Sequence, residues 1–192
     1  YPGVDKDEVK SSLISLLNVE RVIDVEDLAL PIEQVDQMIK RNLTDDRFFG
    51  LMSHYQIEEF YDLNKVNQTN EFINDGVKTV VFGFGASLIN HDVLVYFDMA
   101  RWEIQMRYRK GMPNWRCSNF NEDNLRKYKR GFFIEWRCAD RLKKRVLKNA
   151  SYYVDTNKKN DPKMITTNAL FDGIKKVSTH PFRLVPYFDP GV

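Results

Sequence analysis

The chain has 192 residues, 43% of them apolar and 29% charged, with Gly and Pro together at only 16 positions. That composition fits one ordinary globular domain and excludes disorder, collagen and low complexity, while the longest apolar runs, such as Val93 to Phe97, fall far short of the roughly 20 residues that cross a bilayer. The net charge of +2 hides a strong asymmetry: residues 1–100 sum to −10, residues 101–148 to +10 and residues 149–192 to +2.

Taken in chain order, Asp5 to Leu17 places Val9, Leu13, Leu16 and Leu17 at helical spacing, with acids at the front where a helix dipole favours them. Arg21 to Val25 is a short β-branched run closed by Asp24, Glu26 and Asp27, and reads as a strand. Pro31 to Arg41 has a helical pattern in Ile32, Val35, Met38 and Ile39. Thr44 to Tyr61 is acidic and aromatic, with two helical turns at most. Lys78 to Phe82 is a buried-type strand entering Gly83-Phe84-Gly85, and Asp92 to Phe97 is another. Neither alternates polar with apolar, as expected of parallel strands covered on both faces. Arg101 to Lys110 is a helix closed by Gly111 and Pro113. A second basic helix is expected from Ala139 to Lys148, a strand from Ser151 to Val154, a helix from Met164 to Val177 and an extended exit from Phe182 to Phe188. Strands alternating with helices imply a three-layer α/β fold with a mostly parallel sheet, in which the strands beginning at Arg21, Lys78, Asp92 and Ser151 lie side by side.

Ligands of such a sheet sit beyond the carboxyl ends of the strands. The residues expected there are Asp24, Glu26 and Asp27 after the first strand, Gly83 and Gly85 after the second, and Asp98 and Arg101 after the third. At the start, Tyr1-Pro2-Gly3-Val4-Asp5-Lys6-Asp7 opens the first helix. A phosphate loop needs glycines that let backbone amides converge, a lysine for the outer phosphates and a hydroxyl for magnesium. Gly3 and Lys6 supply part of that pattern. As a bare pattern this is weak, and a Pro-Gly turn before an acidic first helical turn explains it better.

Loop and helix, an acidic strand end, a strand running into glycine, then Asp98 followed by the arginine-rich stretch Arg101 to Gly111 resemble, in that order, the uridine kinase and phosphoribulokinase group of P-loop kinases. The strings VYFDMARWEIQMRYRKG, YKRGFFIEWRCADRLKK and FRLVPYFDPGV are similar to a region upstream of the catalytic part in certain long class I mannose-6-phosphate isomerase proteins. The resemblance implies a kinase-like domain over residues 1–180 and a connection over residues 181–192 into an isomerase-type part of the same polypeptide. It also implies Gly3 and Lys6 on the phosphates, Asp24 or Asp27 as base, and Arg101, Arg107, Arg109 and Lys110 as the lid clamp, with ATP and magnesium as cofactors if the domain is active.

Three departures weaken that chemistry. Asp5 stands at the second loop glycine, Asp7 replaces the magnesium-binding hydroxyl, and Gly83 replaces an acid at the strand end. The strand and glycine that should precede Gly3 are missing, so the resemblance implies a fragment. The expectation is a degenerate kinase-like domain that binds a phosphorylated small molecule or positions the isomerase part. The alternatives are an active sugar or nucleoside kinase and a nucleic-acid binder using the +10 block. The last is disfavoured by the acidic half on the same small domain.

His54, His91 and His180 share no metal-ligand spacing. Cys117 and Cys138 form no CxxC pair, which points to a reducing cytoplasm without structural zinc, and no membrane partner is expected. Trp102, Trp115 and Trp136 suit a core or an interface better than base stacking.

Overall fold

The computed structural model describes residues 1–181 and has a mixed α/β architecture. Helix α1 (Lys6–Leu17) begins at Asp5, whose side chain caps it. Strand β1 (Arg21–Asp24) leads through a 3₁₀ turn, Val25–Leu28, to α2 (Ile32–Leu43). On α2, Val35 and Ile39 lie four residues apart on one buried face, which is the spacing that gives a helix an inner stripe. A 3₁₀ turn at Ile57–Phe60 precedes α3 (Leu63–Phe72), then β2 (Thr79–Phe82) and β3 (Val95–Asp98). Helix α4 (Arg101–Arg109) closes at Gly111, whose φ of +98° is the left-handed conformation that glycine reaches without strain. Next come α5 (Asn124–Arg130), a π-helical turn at Gly131–Glu135 and α6 (Trp136–Val146), followed by β4 (Tyr152–Asp155), β5 (Lys163–Thr166) and α7 (Thr167–Ser178).

The four expected strands all form, but in two sheets and not one. β1 pairs in parallel with β2, Asp24 opposite Phe82, and β3 pairs in parallel with β4, Asp98 opposite Asp155. Among the described residues no ladder joins β2 to β3. The edge of β3 that faces away from β4 receives the Tyr1 nitrogen, which donates to the Phe97 carbonyl at 2.8 Å.

The last expected helix is also shorter than its pattern suggested. Lys163–Thr166 runs antiparallel to β4 as β5, taking up that strand's open edge, and the Thr166 hydroxyl then accepts from Ala169 N at 3.2 Å to start α7. The basic helix begins three residues before Ala139, at Trp136. The exit from Phe182 to Phe188 and the rest of the connection beyond Pro181 lie outside the described residues.

The main core gathers Val25, Val35, Ile39, Ile57, Phe60, Ile89, Ile134 and Leu142. Trp115 caps it edge-on to Phe60 and Phe84, with ring centroids 5.8 and 5.4 Å away. A second cluster of Met99, Ile104, Tyr108 and Trp136 sits under the first residues of the chain, with Tyr1 and Val4 packed against it. Ile104 is fully buried there, which is worth about 1.5–3 kcal/mol.

Much of the basic block points inward. Lys127 is buried and donates to the carbonyls of Met112 at 3.2 Å and Phe120 at 2.6 Å. Arg130 bridges Asp36 (2.9 Å) and Glu135 (3.0 Å), and Arg145 pairs with Glu58 at 2.8 Å. Arg116 and Arg141 donate to the backbone carbonyls of Leu30 and Tyr55. Lys127, Arg116, Arg130 and Arg141 are thus held by acids and carbonyls from both the acidic half and the basic segment itself, while Arg109, Lys110, Arg126, Lys144, Arg145 and Lys148 stay exposed.

Candidate functional site

The C-terminal ends of β1 and β3 are bridged by the opening residues. Gly3 adopts φ +98°, and a Cβ there would stand 2.9 Å from Ile104 Cγ1, so the turn needs both the conformation and the small size of glycine. Asp5 Oδ1 accepts from Glu8 N at 3.1 Å. That bond satisfies an N-terminal amide of α1 with an internal carboxylate, at the place where a helix would otherwise offer its amides to an anion.

Lys6 lies between two acids: its Nζ is 2.7 Å from Asp24 Oδ2 and 2.9 Å from Glu26 Oε2. Both acids are themselves fixed. Asp24 Oδ1 accepts from Glu26 N at 3.0 Å, which starts the 3₁₀ turn, and Glu26 Oε1 accepts from Phe84 N at 3.2 Å, tying β1 to the glycine turn after β2. Gly83, at φ +114°, lets that turn approach: a Cβ would lie 3.0 Å from Val25 Cγ1 and 3.1 Å from Asp24 Oδ1. The Tyr61 hydroxyl donates to Phe84 O and holds the turn from the other side. Partial burial would lower the Lys6 ammonium, but the hydrogen bonds and charges of Asp24 and Glu26 outweigh it, and its pKa ends above the usual lysine value. Asp5 is displaced downward, first by the Glu8 amide, against a burial effect that raises it, with Lys159 also helping.

The structure brings Lys6 and Asp24 together but leaves Asp27 exposed, away from the ion pair. Arg101, at the head of α4, pairs with Asp140, which also accepts from the Tyr1 hydroxyl at 2.9 Å. Arg107 is a staple: it bonds Glu103 at 2.8 Å, Gly3 O at 3.1 Å and Thr156 O at 3.3 Å. Arg109 donates to the Tyr128 hydroxyl at 2.7 Å, and Lys110 is exposed at the helix end. Arg101, Arg107 and Arg109 therefore each turn to different partners.

Two further groups belong to this rim. Glu26 completes the cage around Lys6, and its only sequence signal was its place in the acid cluster after β1. Asp98, 7% exposed, accepts from Tyr153 Oη at 2.8 Å and from Lys143, while Thr156 bonds its carbonyl from N (3.0 Å) and Oγ1 (2.7 Å). Burial pushes the Tyr153 phenol up, with Asp98 adding to the shift.

The rim thus holds a charge-neutralised lysine, excess carboxylate and fixed arginines. Burial raises the Cys117 thiol to about 11 and the Cys138 thiol to about 12, which favours the protonated form of both at neutral pH. Among the described residues no group of three or more His, Cys, Asp or Glu is arranged to hold a metal ion, and no helix is long and apolar enough to cross a membrane.

No curated protein and no solved structure matches the chain. One family, described as a domain of unknown function (DUF8485), matches residues 1–179, and the chain belongs to that family.

Proposed function

We propose that the chain is a degenerate P-loop kinase-like domain of the uridine-kinase type that scaffolds an isomerase-type catalytic part of the same polypeptide, with its own phosphate site closed by internal ion pairs. The observation that carries this reading is the Lys6 cage. A kinase lysine must meet phosphate oxygens, and here Nζ already meets Asp24 and Glu26 at 2.7 and 2.9 Å. With Asp5 capping α1, an incoming phosphate would face three carboxylates and one lysine. Each carboxylate about 5 Å from a phosphate oxygen repels it by roughly 1–3 kcal/mol per charge pair, depending on how much water intervenes.

The lid supports the same reading. Arg107 holds the first loop to the loop after β4, a positioning role, and is not available to clamp a transferring phosphoryl group. The isomerase context rests on the similarity of the three sequence strings described above, and the sugar-phosphate class of the partner follows from it.

Calorimetry with ATP and magnesium tests the proposal. The expected affinity is no tighter than about millimolar, about 4 kcal/mol of binding free energy. Low-micromolar binding that disappears in Lys6→Ala would overturn it in favour of an active sugar or nucleoside kinase, with Lys6 on the phosphates and Asp24 as base. Submicromolar binding of a short oligonucleotide with a steep salt dependence would instead favour the nucleic-acid reading.

A further inference from the structure

We propose that the outer edge of β5 is a docking surface for a second copy of this chain, the two β5 strands pairing antiparallel about a twofold axis at Met164 so that their sheets become one.

Which groups of β5 are free follows from the ladders on either side of β4. Tyr152 N and Thr156 N donate to Leu94 O and Asp98 O at 3.3 and 3.0 Å, so the even-numbered residues of β4 turn to β3 and the odd-numbered ones, Tyr153 and Asp155, turn to β5. Their partners there are Ile165 and Lys163, and Thr167 N continues the series by donating to Ser151 O at 3.1 Å. By alternation the backbone polar groups of Pro162, Met164 and Thr166 point away from β4, to the outer edge.

This outer row is complementary to itself in one register. With Met164 opposite the partner's Met164, each N–H donates to the other's C=O, and Thr166 N–H donates to the partner's Pro162 C=O. The converse of that last bond is not needed. Pro162 has no N–H, and the Thr166 carbonyl, at the N-cap of α7, accepts the first bond of that helix. Moving the axis to Ile165 would aim Met164 N–H at that occupied carbonyl. A foreign strand of ordinary sequence would bring a donor to the same carbonyl, whereas a second copy brings proline.

A lysine and a proline near an edge usually keep it from pairing. Lys163 does not do so here, because its Nζ is held by Asp161 of the same copy at 2.6 Å and brings no net charge to the axis. Met164 and Ile165 are exposed apolar side chains on opposite faces of the sheet, and Ile165 opens onto an apolar groove along Leu170, Ile174 and Val177 of α7. A strand laid beside β5 covers each Met164 with its counterpart and borders the groove. The axis stands perpendicular to the sheet, so both grooves lie on one side of it, and the pairing consumes both β5 edges in a closed dimer.

Sedimentation and cross-linking of the full chain test this. The mass should rise with concentration from the 22.7 kDa of one chain to twice that value. Met164→Cys should form a disulfide-linked dimer under mild oxidation, since the axis sets the two α-carbons about 5.5 Å apart, within disulfide reach. Ile165→Cys should link at least about 10-fold more slowly, because its α-carbons stand about 8 Å apart across the same axis. Met164→Lys, at a position exposed in the single chain, should leave the far-ultraviolet circular dichroism unchanged and weaken the dimer at least about 10-fold by setting two ammonium groups face to face. A monomer at every concentration up to about 1 mM would overturn the proposal. So would a dimer that links equally through both cysteine positions, one that Met164→Lys leaves intact, or one that forms only after residues 182–192 are removed, which would give the edge to the chain's own end.

Discussion

Two of the clusters that pair lysine or arginine with carboxylate differ in burial. Around Lys6 the side chains keep contact with water: Lys6 is 37% exposed and Asp24 21%. In the network under α4 and α5, Arg130 and Glu135 are 11% and 4% exposed, and the other Glu135 oxygen accepts from Tyr108 Oη at 3.2 Å and Asn114 Nδ2 at 3.1 Å. The same chemistry therefore has different consequences. In the buried network each group depends on the others for its solvation, so the charges are part of the core. At the rim water can replace a lost partner, so the ion pair adds little to stability and acts mainly by occupying the lysine.

The largest expected effect tests the buried side. Glu135→Ala leaves Arg130 with only Asp36 and strips Tyr108 and Asn114 of an acceptor, and should cost about 3–5 kcal/mol in urea unfolding. A loss below about 1 kcal/mol would mean that water enters the network. Gly131→Ala should cost about 1–3 kcal/mol, because the added Cβ falls 2.8 Å from Trp136 Cε2 inside the π-helical turn.

Lys6→Ala should cost no more than about 1 kcal/mol at neutral pH. The Lys6 pKa is raised on folding, so its contribution is full below the unfolded value of 10.5 and disappears as pH climbs through the folded value. Asp5 is lowered, so its contribution is present above the unfolded 3.8 and is lost as pH falls through the folded value. Unfolding curves of the parent and Lys6→Ala proteins should accordingly converge only at strongly alkaline pH. Convergence near neutrality would place the lysine outside the pair.

The smallest expected effect concerns the thiols. At pH 8 the folded protein should react slowly with Ellman's reagent at both Cys117 and Cys138, and fully in urea. Rapid labelling of Cys138 would show that the main core opens readily.

Much of the framework was legible locally. The β-branched runs marked β1 to β4 within one to three residues, and Gly111 marked the end of α4 because no other residue takes its conformation so cheaply. The failures have physical causes. All four residues of β5 are exposed, so neither burial nor alternation announced a strand, and Met164 and Ile165 fell into register with the helix that follows. Only Val66 of α3 is buried, which leaves almost no apolar stripe to read. Lys127, Lys129 and Arg130 are buried in a short helix whose composition reads as a wet surface. At the rim, Lys6 and Asp24 were named together, but Glu26 acquires its place from Phe84 N, 58 residues away, which no local pattern encodes. The single-sheet expectation failed for a related reason: short apolar runs identify strands, but which edges pair is set by contacts between distant segments that no local pattern encodes.

In the proposed closed site Lys6 is committed to Asp24 and Glu26 and is withheld from phosphate. The most direct test is the resonance of a ¹³C-methylated Lys6 side chain, followed first with pH and then with ATP and magnesium. The expected result is a titration midpoint above that of the same group in an Asp24→Asn, Glu26→Gln protein, and a resonance unmoved by nucleotide until about millimolar concentration. A midpoint that the double substitution leaves unchanged, or a resonance that shifts with micromolar nucleotide, would contradict it.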